Sequence, residues 1–183
     1  MRHVADVRRR LGVRTLFNCL GPLANPAGAA YQLLGVGRPE WLDRMAGALA
    51  LLGTRRSVLV HGRDGLDEVS PAAPTLVRIV EGGRITAAEW TPEDFGVPGC
   101  SLAELRADGP DESAAIIRAV LAGGAGPAAD VVVANAGAAL IAAGRAASPA
   151  EGAAIARRAL ANGKAAAVLA ALVRITSTCP PST

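Results

Sequence analysis

The sequence predicts an α/β fold, because a helix stands between two apolar, strand-like runs. The run YQLLGV at 31–36 is mostly apolar and ends in Gly-Arg-Pro, which is typical of a buried strand followed by a turn. Residues 40–52 repeat apolar side chains at helical spacing, and SVLVH at 57–61 has the character of a strand covered on both faces. Strand, helix and strand within about thirty residues form a βαβ unit, whose crossover is right-handed and parallel.

The helix predicted at 40–52 carries an apolar face and a stop signal. The apolar residues of this face are Leu42, Met45, Ala46, Leu49 and Leu52. Gly53 is expected to cap the helix, because glycine readily adopts the left-handed conformation that follows helix ends.

The second half of the chain begins with a predicted hairpin and continues as helices. TLVRIVEGGRITAAEW at 75–90 indicates two strands joined across Gly82-Gly83. Three start signals of the capping-box form follow: Thr91 with Asp94, Ser101 with Glu104, and Ser148 with Glu151.

Four later segments are predicted to be helical. They are 112–121, the stretch from Asp130 through Asn135 onward, 149–160 and 164–173. Strand propensity at 130–133 is outweighed by the small-residue pattern of a buried helix after it. We expect one domain at 1–175 and a disordered tail at 176–183.

The composition describes one domain of ordinary size without a strong charge. Of 183 residues, 51% are hydrophobic, and the formal net charge is +3, so the arginine excess does not indicate a nucleic-acid surface. The three cysteines are widely spaced without a C-x-x-C pair, which is typical of a reducing cytoplasm. No run approaches the roughly 18 apolar residues of a membrane span, and the N-terminus lacks a signal-peptide core, so we expect a cytoplasmic protein.

Two adjacent carboxylates follow the second strand, in the segment VLVHGRDGLDEVSP. Asp67 and Glu68 come just after the C-terminal end of a predicted parallel strand, which is the edge where open α/β sheets bind ligands. Neighbouring ionised carboxylates repel each other unless a cation neutralises them, and Mg²⁺ takes hard oxygen ligands of this kind. The alternative is a solvated D-G turn, which is common and polar.

The segment before the first strand is a candidate pocket wall. RTLFNCLGPLANP at 14–26 carries two prolines and a glycine through apolar sequence, which predicts either a rigid pocket wall or an ordinary buried connection. Arg8, Arg9 and Arg10 precede it, and a guanidinium suits a planar carboxylate. Arginine clusters also form solvated helix faces, and the spacing does not single out one of the three.

Three of these segments together resemble one family. VRRRLGVRTLFNCLGPLANPAG, YQLLGV and VLVHGRDGLDEVSP are similar, in order and spacing, to the C-terminal part of the anthranilate phosphoribosyltransferase family, and the similarity runs from residue 1 to about Val173. The resemblance implies the C-terminal α/β domain of a nucleoside phosphorylase/phosphoribosyltransferase-type fold. In that fold helices flank a central, mostly parallel sheet, and here the N-terminal helical domain is missing.

The resemblance also implies roles for individual residues. Asp67 and Glu68 inherit the magnesium site that bridges to the pyrophosphate of phosphoribosyl pyrophosphate, and Gly65 is the turn residue that lets them face the cleft. Arg8 corresponds to the arginine that contacts the anthranilate carboxylate, while Gly21 and Pro22 correspond to residues lining the acceptor site. His61 is expected to be structural.

The implied reaction belongs to tryptophan biosynthesis. The anthranilate amine displaces pyrophosphate at the ribose anomeric carbon, with Mg²⁺ as cofactor and no obligatory strong base. The family's GTGGD, N-x-S-T and K-H-G-N-R segments do not occur in these 183 residues. We therefore expect little or no activity from the chain alone, and a homodimer or the missing N-terminal half as its partner.

Two other functions are alternatives. One is a pyrimidine nucleoside phosphorylase-like enzyme, which shares the fold but not the LGPLANP and DGLDE segments. The other is a non-catalytic relative that binds nucleic acid, for which a net charge of +3 is thin support.

Overall fold

A computed structural model of the chain describes residues 21, 23, 24 and 27–178. Arg8 and Pro22, two of the residues predicted to contact anthranilate, therefore lie outside the described residues. The same holds for residues 179–183 of the predicted tail.

The centre of the molecule is a four-stranded mixed sheet in the order β1-β2-β3-β4. Its strands are β1 Tyr31–Gly35, β2 Arg56–Gly62, β3 Thr75–Glu81 and β4 Arg84–Trp90. β1 and β2 are parallel, as the βαβ pattern predicts, whereas β2–β3 and β3–β4 are antiparallel. The α/β class is confirmed, but the described sheet is mixed rather than mostly parallel. The hairpin strand β3 pairs with both β2 and β4, and both of these pairs are antiparallel.

Five α-helices surround the sheet. They are α1 Leu42–Leu51, α2 Pro110–Leu121, α3 Pro127–Ala142, α4 Pro149–Ala161 and α5 Lys164–Thr178. Short 3-10 turns at Pro39–Trp41, Pro92–Phe95 and Leu102–Leu105 connect them to the strands. The segment at 130–133 is helical, as predicted. α5 continues to Thr178, three residues into the tail expected at 176–183.

One face of the sheet is covered by α1. Leu42, Met45, Ala46 and Leu49 are buried, and they pack against Leu34, Leu59 and Val80 of the strands. Arg78 of β3 ties the same face to α1, because its guanidinium donates two hydrogen bonds to the Asp43 carboxylate. Leu52 was predicted to belong to this face, but it is 59% exposed, because it follows the last residue of α1.

The opposite face is covered by α3 and α4. Val58, Val60 and Val77 point to this side, as the two-residue period of a strand requires, and pack against apolar residues of α3 and α4. Phe95 is fully buried in this layer, and its ring meets Trp90 edge to face at 5.6 Å. β2 is buried along residues 57–62 because helices cover it on both sides, which confirms the reading of SVLVH.

The turns and caps follow local sequence chemistry. Gly82 and Gly83 join β3 to β4 with positive φ at both positions, as the tight hairpin turns that suit twisted strands demand. The Asp94 and Glu104 carboxylates accept hydrogen bonds from the N–H groups of Thr91 and Ser101. Both of these boxes begin short 3-10 turns rather than α-helices.

No single helix in the described part of the chain is long and apolar enough to cross a membrane. α4 and α5 have the required length and composition only when taken as a pair, and that pair is bent by 66°.

A glycine contact holds α3 and α4 together and can be tested. A Cβ on Gly152 would come within 2.6 Å of the Gly137 carbonyl oxygen, so Gly152→Ala forces the helices apart. We expect it to lower the free energy of unfolding by about 1–3 kcal/mol in urea denaturation, despite the higher helix propensity of alanine.

The matched control is Gly47→Ala in α1, where an added Cβ meets nothing within 4 Å. This substitution should stabilise the protein by up to about 1 kcal/mol through helix propensity alone. Equal effects of the two substitutions would contradict close packing between α3 and α4.

Candidate active site

The candidate site lies on the loop at 63–74, which connects β2 to β3. Because β1 and β2 are parallel, their C-terminal ends meet at one edge of the sheet, and the loop starts at that edge. The first half of this loop carries Asp67 and Glu68.

Asp64 organises the start of the loop and is not a free ligand. One of its carboxylate oxygens accepts the backbone N–H of Leu66, and the other accepts the hydroxyl of Ser70. The Leu66 carbonyl in turn accepts the N–H of Gly62 at 2.7 Å. Gly65 has φ +97, a conformation that side chains disfavour, so the turn role predicted for it is consistent with its backbone.

Ser70 closes the second half of the loop. Its buried hydroxyl accepts hydrogen bonds from the N–H groups of Ala72 and Ala73, and its own N–H donates to the Thr75 hydroxyl. The Ser70 hydroxyl thus satisfies two backbone donors of the loop from a buried position.

Asp67 and Glu68 project from this framework with their side chains exposed. Neither carboxylate has a hydrogen-bond or ion-pair partner among the described residues, in contrast to Asp64. Two adjacent negative groups without a partner favour a cation.

The main chain of Asp67 is seated on the end of β1. A Cβ added to Gly35 would overlap the Asp67 carbonyl oxygen and lie 2.8 Å from its carbonyl carbon. Only glycine therefore permits this approach. Gly62, at the end of β2, is constrained similarly, because a Cβ there would meet Asp64 Oδ1 at 2.5 Å.

Asn135 of α3 holds the loop from the other side. Its Oδ1 accepts the Val69 N–H at 2.9 Å, and its Nδ2 donates to the Val69 carbonyl at 2.9 Å. The sequence pattern placed Asn135 in a predicted helix and gave it no role in the site. The available signal was its chemistry, since Asn135 and Asp130 are the only polar side chains of an otherwise apolar helix.

His61 supports the site as a structural residue. Its ring is buried, and Nδ1 lies 2.7 Å from the Val36 carbonyl oxygen, which can only accept, so Nδ1 carries the proton. Val36 also donates its N–H to Val60 at 2.9 Å. His61 thus ties the chain leaving β1 to β2 beside Gly35.

Cys100 lies beside the loop and near three carboxylates. Burial raises the pKa of the Cys100 thiol, and the negative charges of Glu104, Asp130 and Asp64 raise it further. Cys100 is attached to the loop, since its N–H donates to the Pro71 carbonyl at 3.2 Å. Burial also raises the pKa of Asp130, against an opposing effect of Arg157.

The donor set of the loop fits Mg²⁺ better than a softer metal. Asp67 and Glu68 offer hard carboxylate oxygens, exposed to water that can complete an octahedral shell. The described residues contain no cluster of three or more histidine, cysteine, aspartate or glutamate side chains that could cage an ion. The site therefore suits a metal held by one or two carboxylates and by its substrate.

Of the residues predicted to line the acceptor site, Gly21 belongs to the described part of the chain. Gly21 is exposed and has helical conformation. Leu23 lines a cleft of about 330 Å³ with residues that precede β1 and β2, such as Ala30 and Arg55. A Cβ added to Gly21 would meet nothing within 4 Å among the described residues.

Comparison with known proteins identifies the family. The family model described as "Glycosyl transferase family, a/b domain" matches residues 1–166, which is most of the chain. The chain belongs to this family. Among curated relatives of this family member, the anthranilate phosphoribosyltransferase of Methylocella silvestris is 50% identical over 177 residues, and that of Moorella thermoacetica is 47% identical over 173 residues. The alignments cover 97% and 94% of this chain, and 51% of each relative.

Solved structures of the family agree with the fold. The crystal structure of anthranilate phosphoribosyltransferase from Thermus thermophilus matches with a TM-score of 0.85 and 48% identity, over 95% of this chain and 51% of that one. The enzyme from Saccharomyces cerevisiae in complex with phosphoribosyl pyrophosphate and Mg matches with a TM-score of 0.87 and 31% identity, over 98% and 52%. The resemblance inferred from the motifs is confirmed, and the chain spans about half the length of these relatives.

The fit between Gly35 and Asp67 generates a prediction. Gly35→Ala must displace the Asp67 main chain, because real Cβ atoms essentially never approach other atoms below 3.0 Å. We expect a loss of about 1–3 kcal/mol in the free energy of unfolding, with the largest amide shift changes in NMR spectra at Asp67 and Glu68.

Gly37→Ala is the control, two residues along the chain, where an added Cβ meets nothing within 4 Å. It should change the free energy of unfolding by no more than about 0.5 kcal/mol. A Gly35→Ala variant with unchanged stability and unchanged loop shifts would show that the loop is not seated on β1.

Proposed function

We propose that the chain is the α/β part of an anthranilate phosphoribosyltransferase of tryptophan biosynthesis. The substrates are phosphoribosyl pyrophosphate and anthranilate, and the reaction forms the bond from the anthranilate nitrogen to the ribose anomeric carbon as pyrophosphate leaves. The observation that carries the proposal is the exposed acid pair at the C-terminal edge of the parallel strands, which has no hydrogen-bond or ion-pair partner among the described residues. The similarity to relatives that carry out this transfer supports it.

Asp67 and Glu68 are the proposed magnesium ligands. When bound, Mg²⁺ would neutralise charge on the departing pyrophosphate and orient it. The contribution of the chain is to hold both carboxylates on one short segment whose main chain is anchored to β1 and α3. Neither carboxylate has an ion pair among the described residues that a metal would have to break.

The acceptor is proposed to bind through the segment that precedes β1. The Arg8 guanidinium would pair with the anthranilate carboxylate, because its planar fork matches the two oxygens. Gly21 and Pro22 would line the aromatic part of the site.

The metal assignment is tested by binding. We titrate the chain with phosphoribosyl pyrophosphate and Mg²⁺ in a calorimeter, and compare Asp67→Asn and Glu68→Gln with the wild type. Each substitution should weaken metal-dependent binding by roughly tenfold or more, because it removes one of the two charges that face the cation.

Asp111→Asn is the matched control, since Asp111 is an exposed acid at the start of α2 and outside the loop. Its binding should equal that of the wild type. Unchanged binding in both loop variants would reject the acid pair as the metal site. Loss of anthranilate fluorescence in the complete mixture then reports turnover, which we expect to be little or none from the chain alone, because the family's phosphate-binding segments are not among its residues.

The partner of this domain is proposed to cover α5. No residue of α5 is buried in the described structure, and Val168, Leu172 and Ile175 are each more than half exposed. Apolar side chains repeated along one helix are typical of an interface. A second copy of the chain or the remaining half of the enzyme is the proposed occupant.

We therefore expect the isolated chain to self-associate. Sedimentation velocity should show concentration-dependent species larger than a monomer, and Leu172→Lys should shift the distribution towards the monomer. Arg174→Lys, which keeps the charge of an exposed residue on the same helix, should leave the distribution unchanged. A wild-type chain that stays monomeric at all concentrations rejects a second copy of the chain as the occupant of α5.

A further inference from the structure

Asn135 is chemically out of place in α3. The helix runs from Pro127 to Ala142 and is rich in alanine and valine, and seven of its residues are buried. Asn135 is partly buried, so its carboxamide loses part of its hydration and recovers hydrogen bonds from protein groups. Two of the three hydrogen bonds of the Asn135 side chain go to one residue of the loop after β2, Val69.

The hydrogen bonds of Asn135 form a two-way clamp on Val69. Oδ1 accepts the Val69 N–H at 2.9 Å and Nδ2 donates to the Val69 carbonyl at 2.9 Å, so the side chain pairs with the loop as a neighbouring strand would. The second hydrogen of Nδ2 goes to the Val131 carbonyl at 3.0 Å, one turn earlier in α3. This last bond fixes the rotamer from which the other two are made.

The clamp acts directly on the backbone around Glu68. The peptide plane after Glu68 contains the Val69 N–H, which Asn135 holds. The peptide plane before Glu68 contains the Asp67 carbonyl, which is seated on Gly35. The two planes that flank Glu68 are therefore held by different layers of the fold, and Val69 itself is buried as a further anchor.

We propose that Asn135 is a positioning residue for the metal-binding acid pair. By fixing the peptide plane after Glu68, it sets the direction in which Glu68 and Asp67 present their oxygens, without contacting the metal or the substrate. This inference rests on the proposed function for the identity of the ligand. Mg²⁺ demands nearly ideal octahedral geometry, so its affinity is sensitive to small rotations of its ligands.

Two variants separate positioning from folding. Asn135→Ala removes all three hydrogen bonds and leaves a residue with the best helix propensity in an alanine-rich helix. Asn135→Ser retains a hydroxyl that can bond back to Val131 within the helix but is too short to pair with both groups of Val69. Asn162→Ala is the control, because the Asn162 side chain also accepts a backbone N–H, that of Lys164, at an exposed helix end.

NMR spectroscopy of the wild-type chain and the variants gives two readouts. The first is hydrogen exchange of the Val69 amide, which should accelerate by about tenfold or more in both Asn135 variants. The second is a titration with Mg²⁺ alone, followed through the Asp67 and Glu68 amides, whose dissociation constant should rise by about tenfold. Asn162→Ala should change neither quantity.

The outcomes distinguish the proposal from the proposed function. Faster exchange together with weaker Mg²⁺ binding supports the positioning role. Unchanged exchange overturns it, and so does faster exchange with unaltered Mg²⁺ affinity, which would make Asn135 a purely structural residue while the metal assignment stands. If Mg²⁺ does not perturb Asp67 and Glu68 in the wild type, the metal assignment itself fails, and a metal-positioning role for Asn135 fails with it.

Discussion

The candidate site depends on a close approach between a loop and the end of a strand. The Asp67 main chain occupies space that a side chain on Gly35 would fill, and Asp64 occupies the corresponding space at Gly62. These glycines end the two parallel strands, so the loop can fold back over the sheet edge instead of extending away from it. Parallel pairing brings the two strand ends to the same edge, and the missing side chains allow the loop to rest there.

The three acidic residues of the loop differ in their hydrogen bonding. The two carboxylate oxygens of Asp64 accept hydrogen bonds from the Leu66 N–H and the Ser70 hydroxyl. These bonds stabilise the turn without a cation. Asp67 and Glu68 make no such bonds among the described residues, and exposure to water keeps the cost of their charges low. A site that keeps two free carboxylates needs another source of rigidity, and here it comes from main-chain contacts.

α3 connects this rigidity to the core. It is covered by β1 and β2 on one side and by α4 on the other, where Gly137 and Gly152 let the helix backbones touch. Close packing on both sides holds α3 in place. Asn135 links α3 to the loop through two hydrogen bonds with the Val69 backbone. On the β1 side, the His61 ring donates a hydrogen bond to the Val36 carbonyl and so holds the chain that leaves β1 against β2. The acid pair therefore sits between two supports that belong to different layers of the fold.

The sequence by itself determined the local elements and the acid pair. Apolar periodicity indicated β1, α1 and β2, the Gly82-Gly83 pair specified the hairpin, and the position of Asp67 and Glu68 after a parallel strand indicated their chemistry. These features depend on neighbours in the chain, so they can be read from it. Only the tertiary structure decided that the sheet is mixed, that Leu52 is exposed, that Asp64 is structural, and that Gly35 and Asn135 hold the loop. Gly35 lies 32 residues from Asp67, and Asn135 lies 66 residues from Val69. Contacts of this range arise only when layers pack, because their geometry is set by the whole fold and not by local propensity.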